Sequence, residues 1–203
     1  MQIENHKEEV PFAHYEQLFR MLDPADVQLR LKGVKWDGKE FYVNLMGREF
    51  ALSHPDCALR ALDGGMLPVL PVQTFLLRYL LEGRDILWLG QWKTFREMPW
   101  GETYVKPFTG RALTRAAFTF GTRLTAFREA CEKMGALPVD HGDAGFQLNF
   151  IGNYSIRILI WEGDDEFPPS AQILYSDNFS EGFSAEDRVV AADILISAIK
   201  ANM

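Results

Sequence analysis

The chain has 203 residues, of which 47% are hydrophobic and 13% aromatic, and it carries a net charge of −7. That length fits one large domain or two small ones, and the apolar content suits a packed core rather than a disordered chain. An acidic surface repels phosphate backbones and anionic lipid, and no stretch gathers enough Lys and Arg to reverse this, so neither nucleic acid nor membrane is an expected partner.

Residues Met1 to Glu9 are polar and hold no apolar signal core. The longest apolar segments are interrupted by charge well short of a membrane span. Cys57 and Cys131 stand in unrelated contexts and read as small apolar side chains rather than disulfide halves or nucleophiles. A cytoplasmic protein follows as the expectation.

Residues 1–10 are expected as a flexible N-terminus and 11–203 as a single α+β domain. Pro11 opens a helix over 11–22, with Phe12, Tyr15, Phe19 and Leu22 at helical spacing. Asp23-Pro24 caps and starts a second helix reaching Lys32-Gly33. Phe41, Val43 and Leu45 alternate with more polar neighbours, Met46-Gly47 turns, and Glu49 to Ser53 returns as the second strand of a hairpin. Pro71 begins an apolar helix that ends at Gly83. Residues 84–108 read as irregular and aromatic.

Thr109 caps the longest expected helix, which Gly135 stops. Leu113, Ala117, Phe120, Leu124, Phe127, Cys131 and Met134 form its apolar stripe, and Gly121 lies within it, where close packing by a neighbour would offset its helix cost. Three strands follow. Phe146, Leu148 and Phe150 alternate with Gln147 and Asn149. Ile156, Ile158 and Ile160 share one face of the next strand, with Leu159 and Trp161 on the other, which marks it as central. Residues 171–176 make the third, and a capping box at Ser184 and Asp187 begins an amphipathic last helix. Short turns between consecutive strands favour antiparallel pairing. The expected fold is α+β: a mainly antiparallel sheet with helices packed against it.

Two segments carry acidic chemistry. Glu162, Asp164, Asp165 and Glu166 crowd one turn before Pro168-Pro169, and like charges this close call for solvent, a cation or arginines. Asp140, His141 and Asp143 share a glycine-rich loop, and Asp177 follows the third strand. Oxygen and imidazole groups of this kind suit a divalent metal or a general base, but neither segment has the ordered spacing of a calcium loop or a zinc motif. The alternative reading is a solvated turn and a polar loop whose carboxylates bond backbone amides. The two segments meet at one sheet end if their strands pair neighbour to neighbour, and lie apart otherwise.

Trp88, Trp92, Trp100 and Tyr104, with Trp161, offer rings that could line a pocket for a flat ligand, form a partner surface or plug one end of the core. No G-x-S-x-G and no phosphate loop occurs, and the four histidines are scattered.

Leu137-Pro138 to Gly145, Trp161-Glu162-Gly163-Asp164-Asp165-Glu166-Phe167-Pro168, and Ile173 to Asp177 resemble the signature of the domain of unknown function 3786 family. Phe95-Arg96-Glu97-Met98-Pro99, Tyr104 and Phe108 are similar to it too, so the resemblance spans nearly the whole chain. It implies a bacterial or archaeal protein with no established activity. Because some members carry an added iron–sulfur module, it also implies a link to corrinoid and one-carbon metabolism. Two cysteines cannot supply such a cluster, so none is expected in this chain.

Three functions remain open on these residues. One is a ligand-binding or accessory domain using Trp88, Trp92, Trp100, Tyr104 and Trp161. Another is a metal-dependent hydrolase using Asp140, His141, Asp143, Glu162, Asp164, Glu166 and Asp177. The third is a protein interaction module that forms oligomers through its aromatic segment.

Overall fold

The computed structural model describes residues 6–203, with side chains from residue 11 onward. The chain is an α+β protein of antiparallel strands and packed helices, as expected. It divides into two compact units, Met1–Asp85 and Ile86–Met203.

In the first unit, α1 (His6–Arg20) begins ahead of the expected start, and Pro11 lies inside it rather than in its first turn. The remainder of the expected flexible N-terminus, residues 1–5, lies outside the described residues. In α2 (Pro24–Arg30) the Asp23 carboxylate accepts the Ala25 N–H at 2.9 Å, the cap that the Asp-Pro pair suggests. Strands β1 (Lys35–Trp36), β2 (Glu40–Leu45), β3 (Arg48–Ser53) and β4 (Leu59–Ala61) pair antiparallel in sequence order. Met46 (φ 49°) and Gly47 (φ 82°) make the β2–β3 turn, a two-residue loop with both positions left-handed. Phe41, Val43 and Leu45 pair with Leu52, Phe50 and Arg48, so the alternation seen in the sequence builds one apolar face. Helix α3 (Leu70–Glu82) follows and packs on α1.

In the second unit, β5 (Trp92–Thr94), β6 (Leu137–Pro138), β7 (Ala144–Ile151), β8 (Tyr154–Trp161) and β9 (Ser170–Ser176) form antiparallel pairs β6–β7, β7–β8, β8–β9 and β9–β5. Phe146, Leu148, Phe150, Ile156, Ile158, Ile160, Ile173 and Tyr175 lie on one face of this sheet, and all are buried. The helices cover that face: Phe127 meets Phe146 at 5.6 Å and Phe108 meets Tyr175 at 6.4 Å between ring centroids. Each isoleucine buried this way contributes roughly 1.5–3 kcal/mol.

Part of the segment expected to be irregular is ordered. A helix, α4 (Gly101–Phe108), runs straight into a π-helical stretch, Thr109–Thr114, and then α5 (Arg115–Phe120). Thr109 is therefore no cap; its hydroxyl donates to the Val105 carbonyl one turn back. Gly101, Pro107 and Gly110 hide this helix from a propensity reading, and packing overrides them: Phe108 stacks on Phe95 at 4.1 Å with ring planes 7° apart.

The expected long helix also breaks. Gly121 is the C-cap of α5, and α6 (Leu124–Lys133) restarts after Arg123. The apolar stripe nevertheless keeps facing inward on both pieces, through Ala117, Phe120, Phe127 and Cys131. A Cβ on Gly121 would stand 2.4 Å from Pro169 Cβ, 2.7 Å from the Ala117 carbonyl and 3.3 Å from the Trp161 carbonyl. Close packing does explain this glycine, and the neighbour is the acidic turn.

After α7 (Phe179–Gly182), α8 (Ala185–Asn202) begins with the capping box expected at Ser184 and Asp187. It is buried on most sides rather than amphipathic. Arg188 lies in that buried surface, donating through Nη2 to the Pro99 carbonyl and through Nε to the Ser184 carbonyl at 3.2 Å. Both cysteines are free thiols. Burial pushes Cys131 up to about 12 and the half-buried Cys57 up to about 11, so neither is a ready nucleophile.

The glycines give a paired test. Gly121→Ala should lower stability by about 1–3 kcal/mol through overpacking. Gly110→Ala, where nothing lies within 4 Å of the added Cβ, should raise it by about 0.5–1 kcal/mol. Urea unfolding midpoints of the two variants measure both signs.

Candidate functional site

The acidic run connects β8 to β9. Asp164 organises it: Oδ1 accepts the Phe167 N–H at 2.7 Å and the Glu166 N–H at 2.9 Å, and the Asp164 N–H donates to the Phe167 carbonyl at 2.9 Å. Those bonds satisfy the charged form, so the Asp164 carboxyl lies below its ordinary range, held mainly by the Phe167 amide and then by that of Glu166. Gly163 is required here, because a Cβ would fall 2.6 Å from Pro169 Cδ. Glu162, Asp165 and Glu166 are exposed.

The glycine-rich loop reaches the same sheet end, because β7 and β8 are direct neighbours and Ala144 pairs with Ile160. The Asp143 N–H donates to the Ile160 carbonyl at 2.9 Å, and Asp143 Oδ2 accepts the Glu162 N–H at 2.8 Å. The two acidic segments thus meet. The contact runs from a carboxylate to a backbone amide, not between facing carboxylates. Asp140 and His141 are exposed in the same loop.

Asp177 is elsewhere. It follows β9, at the end of that strand away from the acidic turn, roughly 20 Å distant for a seven-residue strand. Its buried carboxylate accepts the Leu89 N–H at 3.1 Å and the Gln91 N–H at 2.9 Å, and its own N–H donates to the Gln91 carbonyl at 3.1 Å. Asp177 therefore fastens the segment leading into β5. The seven residues that the sequence suggests as metal ligands do not assemble, because Asp177 lies at the far end of β9. Among the described residues, no group of three or more His, Cys, Asp or Glu side chains is placed to hold a metal ion.

The five rings also separate. Trp88 and Trp92 form an edge-to-face pair, 5.2 Å between centroids with planes 76° apart, and Trp88 Nε1 donates to the Gln91 carbonyl at 3.0 Å. Trp100 caps α4 in a left-handed conformation (φ 62°) and is 73% exposed, with the exposed Tyr104 one turn further on. Trp161 ends β8 opposite Ser170, 37% exposed.

What the sequence reading passed over is Arg157, in the middle of β8 on the face opposite the isoleucines. Three adjacent cross-strand rows make up the middle of this face, beside the Trp161–Ser170 pair. They are Asn149–Ser155–Ser176–Trp92, Gln147–Arg157–Leu174–Thr94 and Gly145–Leu159–Gln172. In the middle row every side chain is half-buried. The Arg157 guanidinium lies 4.0 Å from the centroid of the Trp92 ring, and its Nε donates to Gln147 Oε1 at 3.1 Å. Among the described residues no carboxylate pairs with it. Burial alone lowers its proton affinity, and guanidinium stays charged regardless. The signal was present in the sequence as a single cation inside an otherwise apolar strand, Ser155-Ile156-Arg157-Ile158-Leu159-Ile160-Trp161.

The comparisons with known proteins agree with the resemblance in the sequence. The family described as "Domain of unknown function (DUF3786)" matches residues 23–198, nearly the whole chain, and the chain belongs to that family. No curated protein and no solved structure matches it.

Two consequences can be measured. Asp164 has a depressed pKa in the folded state, so its contribution is complete above the unfolded carboxylate range and is lost as pH falls through the folded value. The amide resonances of Glu166 and Phe167 should hold steady through the ordinary carboxylate range and move only below it. Asp177→Ala strands two amide donors and should cost about 1–3 kcal/mol, with faster hydrogen exchange at Leu89 and Gln91 but not within β8.

Proposed function

We propose that this member of the DUF3786 family is a ligand-binding domain without catalytic machinery of its own, and that its site is the face of the second unit's sheet opposite the isoleucines, around Arg157, Trp92 and Trp88. The observation that carries this reading is the guanidinium over the Trp92 ring with no carboxylate partner among the described residues. A cation–π contact contributes about 0.5–2 kcal/mol and offsets part of the cost of taking a charge out of water. A fold that needed only stability would gain more from an apolar residue or an ion pair at this position. The acidic segments support the reading from the other side, since Asp143, Asp164 and Asp177 spend oxygens on backbone amides of their own loops.

The free thiols are in keeping with the cytoplasm as the compartment. Among the described residues no helix is long and apolar enough to cross a membrane.

Differential scanning fluorimetry against corrinoids, tetrapyrroles, nucleotides and aromatic acids tests the reading. A ligand present at about 100 times its Kd stabilises by about 2.7 kcal/mol, which corresponds to a rise in Tm of roughly 5 °C or more. At least one class should produce such a rise, and Trp92→Leu should abolish it. A panel with no shift, or shifts indifferent to Trp92→Leu, would remove this face as the site.

A further inference from the structure

We propose that the molecule held on this face is small and flat and carries a single carboxylate, clamped at two points by Arg157 beside Trp92 and Trp88; this rests on the reading that the face is a ligand site. Arg157 spends Nε on Gln147. Its outer edge, Nη1 and Nη2, has no hydrogen-bond partner among the described residues. That edge is a planar fork whose spacing matches the two oxygens of a carboxylate.

Charge fixes the valence. Arg157 is the sole charged residue in the three cross-strand rows, and the whole chain stands at −7. One anionic charge balances the guanidinium. A phosphate dianion would bring surplus negative charge into an already acidic protein. Because the arginine is half-buried without a counter-ion among the described residues, an arriving carboxylate faces less competition from water than it would at an open surface.

Shape fixes the size. At one end the strip is closed by the Trp88–Trp92 pair, with its rings edge to face. At the other end it is closed by Val139, whose Cγ2 would lie 2.8 Å from a Cβ on Gly145, and by Leu159. Rows on one face of a strand are about 7 Å apart, so the strip spans roughly 10–14 Å. That suits a molecule of one or two rings and is too short for an extended peptide. Leu174 supplies an apolar floor next to Arg157, and Gln172 a neutral amide in the next row.

Benzoate and benzamide present the same ring with and without the charge. In the full-length ¹⁵N-labelled chain at constant salt, the signals to follow are the indole N–H of Trp88 and Trp92 and the Nε–H of Arg157. Benzoate should move all three to saturation, with benzamide and inorganic phosphate each at least about tenfold weaker. Arg157→Lys keeps the charge but loses the fork, and should weaken benzoate about tenfold while leaving benzamide unchanged. The amide spectrum of that variant reports whether the fold is kept. If Arg157→Lys does not fold, the difference between benzoate and benzamide in the unaltered chain still tests the carboxylate. Equal response to benzoate and benzamide at these signals would overturn the carboxylate while leaving the face a ligand site. A stronger response to phosphate would overturn the single charge. If no probe moves these signals, the proposal fails whatever the wider ligand panel gives.

Discussion

Strand β8 imposes the constraint on which the second unit depends. Its two-residue period sends Ile156, Ile158 and Ile160 to the helix-covered side and Ser155, Arg157 and Leu159 to the other. Pairing on both edges, with β7 and β9, locks that division. A slip of one residue would drive a guanidinium into a dry core and bring three isoleucines out of it. The helices described above pack where the isoleucines are, and the opposite face keeps its half-buried middle row. The position of Arg157 follows from the register of the sheet and needs no help from its side-chain partners.

The acidic segments illustrate how a charge run can be structural. Asp164 folds its own turn around two amide hydrogens, and Asp143 ties the neighbouring loop to the start of that turn. Behind them Gly121 lets Pro169 approach the end of α5 more closely than any side chain would allow. One sheet end is thus assembled from a helix stop, a proline and two capping carboxylates. At the other end Asp177 does the equivalent work for the segment entering β5.

Much of this was legible in the sequence where the signal is local. The hairpin at Met46-Gly47, the cap at Asp23, the capping box at Ser184 and Asp187 and the alternation of β7 and β8 all depend on neighbours a few residues away. The losses are non-local. Gly121 has no room for a side chain because of Pro169, far along the chain, and α4 forms despite its Gly and Pro residues because Phe108 has Phe95 and Tyr175 to pack on. Asp177 looked like a member of an acidic set until its partners, Leu89 and Gln91, came into view. Arg157 was missed for another reason: reading a strand for its apolar side draws attention away from the residue between the isoleucines. Counting carboxylates pointed to the acidic turn, whereas Arg157 is a cation with no carboxylate partner among the described residues.

The central claim is that the Arg157 guanidinium rests on Trp92 with no carboxylate partner among the described residues. The most direct measurement is the chemical shift of its Nε–H between neutral pH and about pH 4, a range over which exposed Asp and Glu side chains take up protons. The account expects a resonance displaced by the current of the Trp92 ring and unmoved by that titration. A resonance that follows a carboxylate titration curve would reveal an anionic partner within the chain and contradict it.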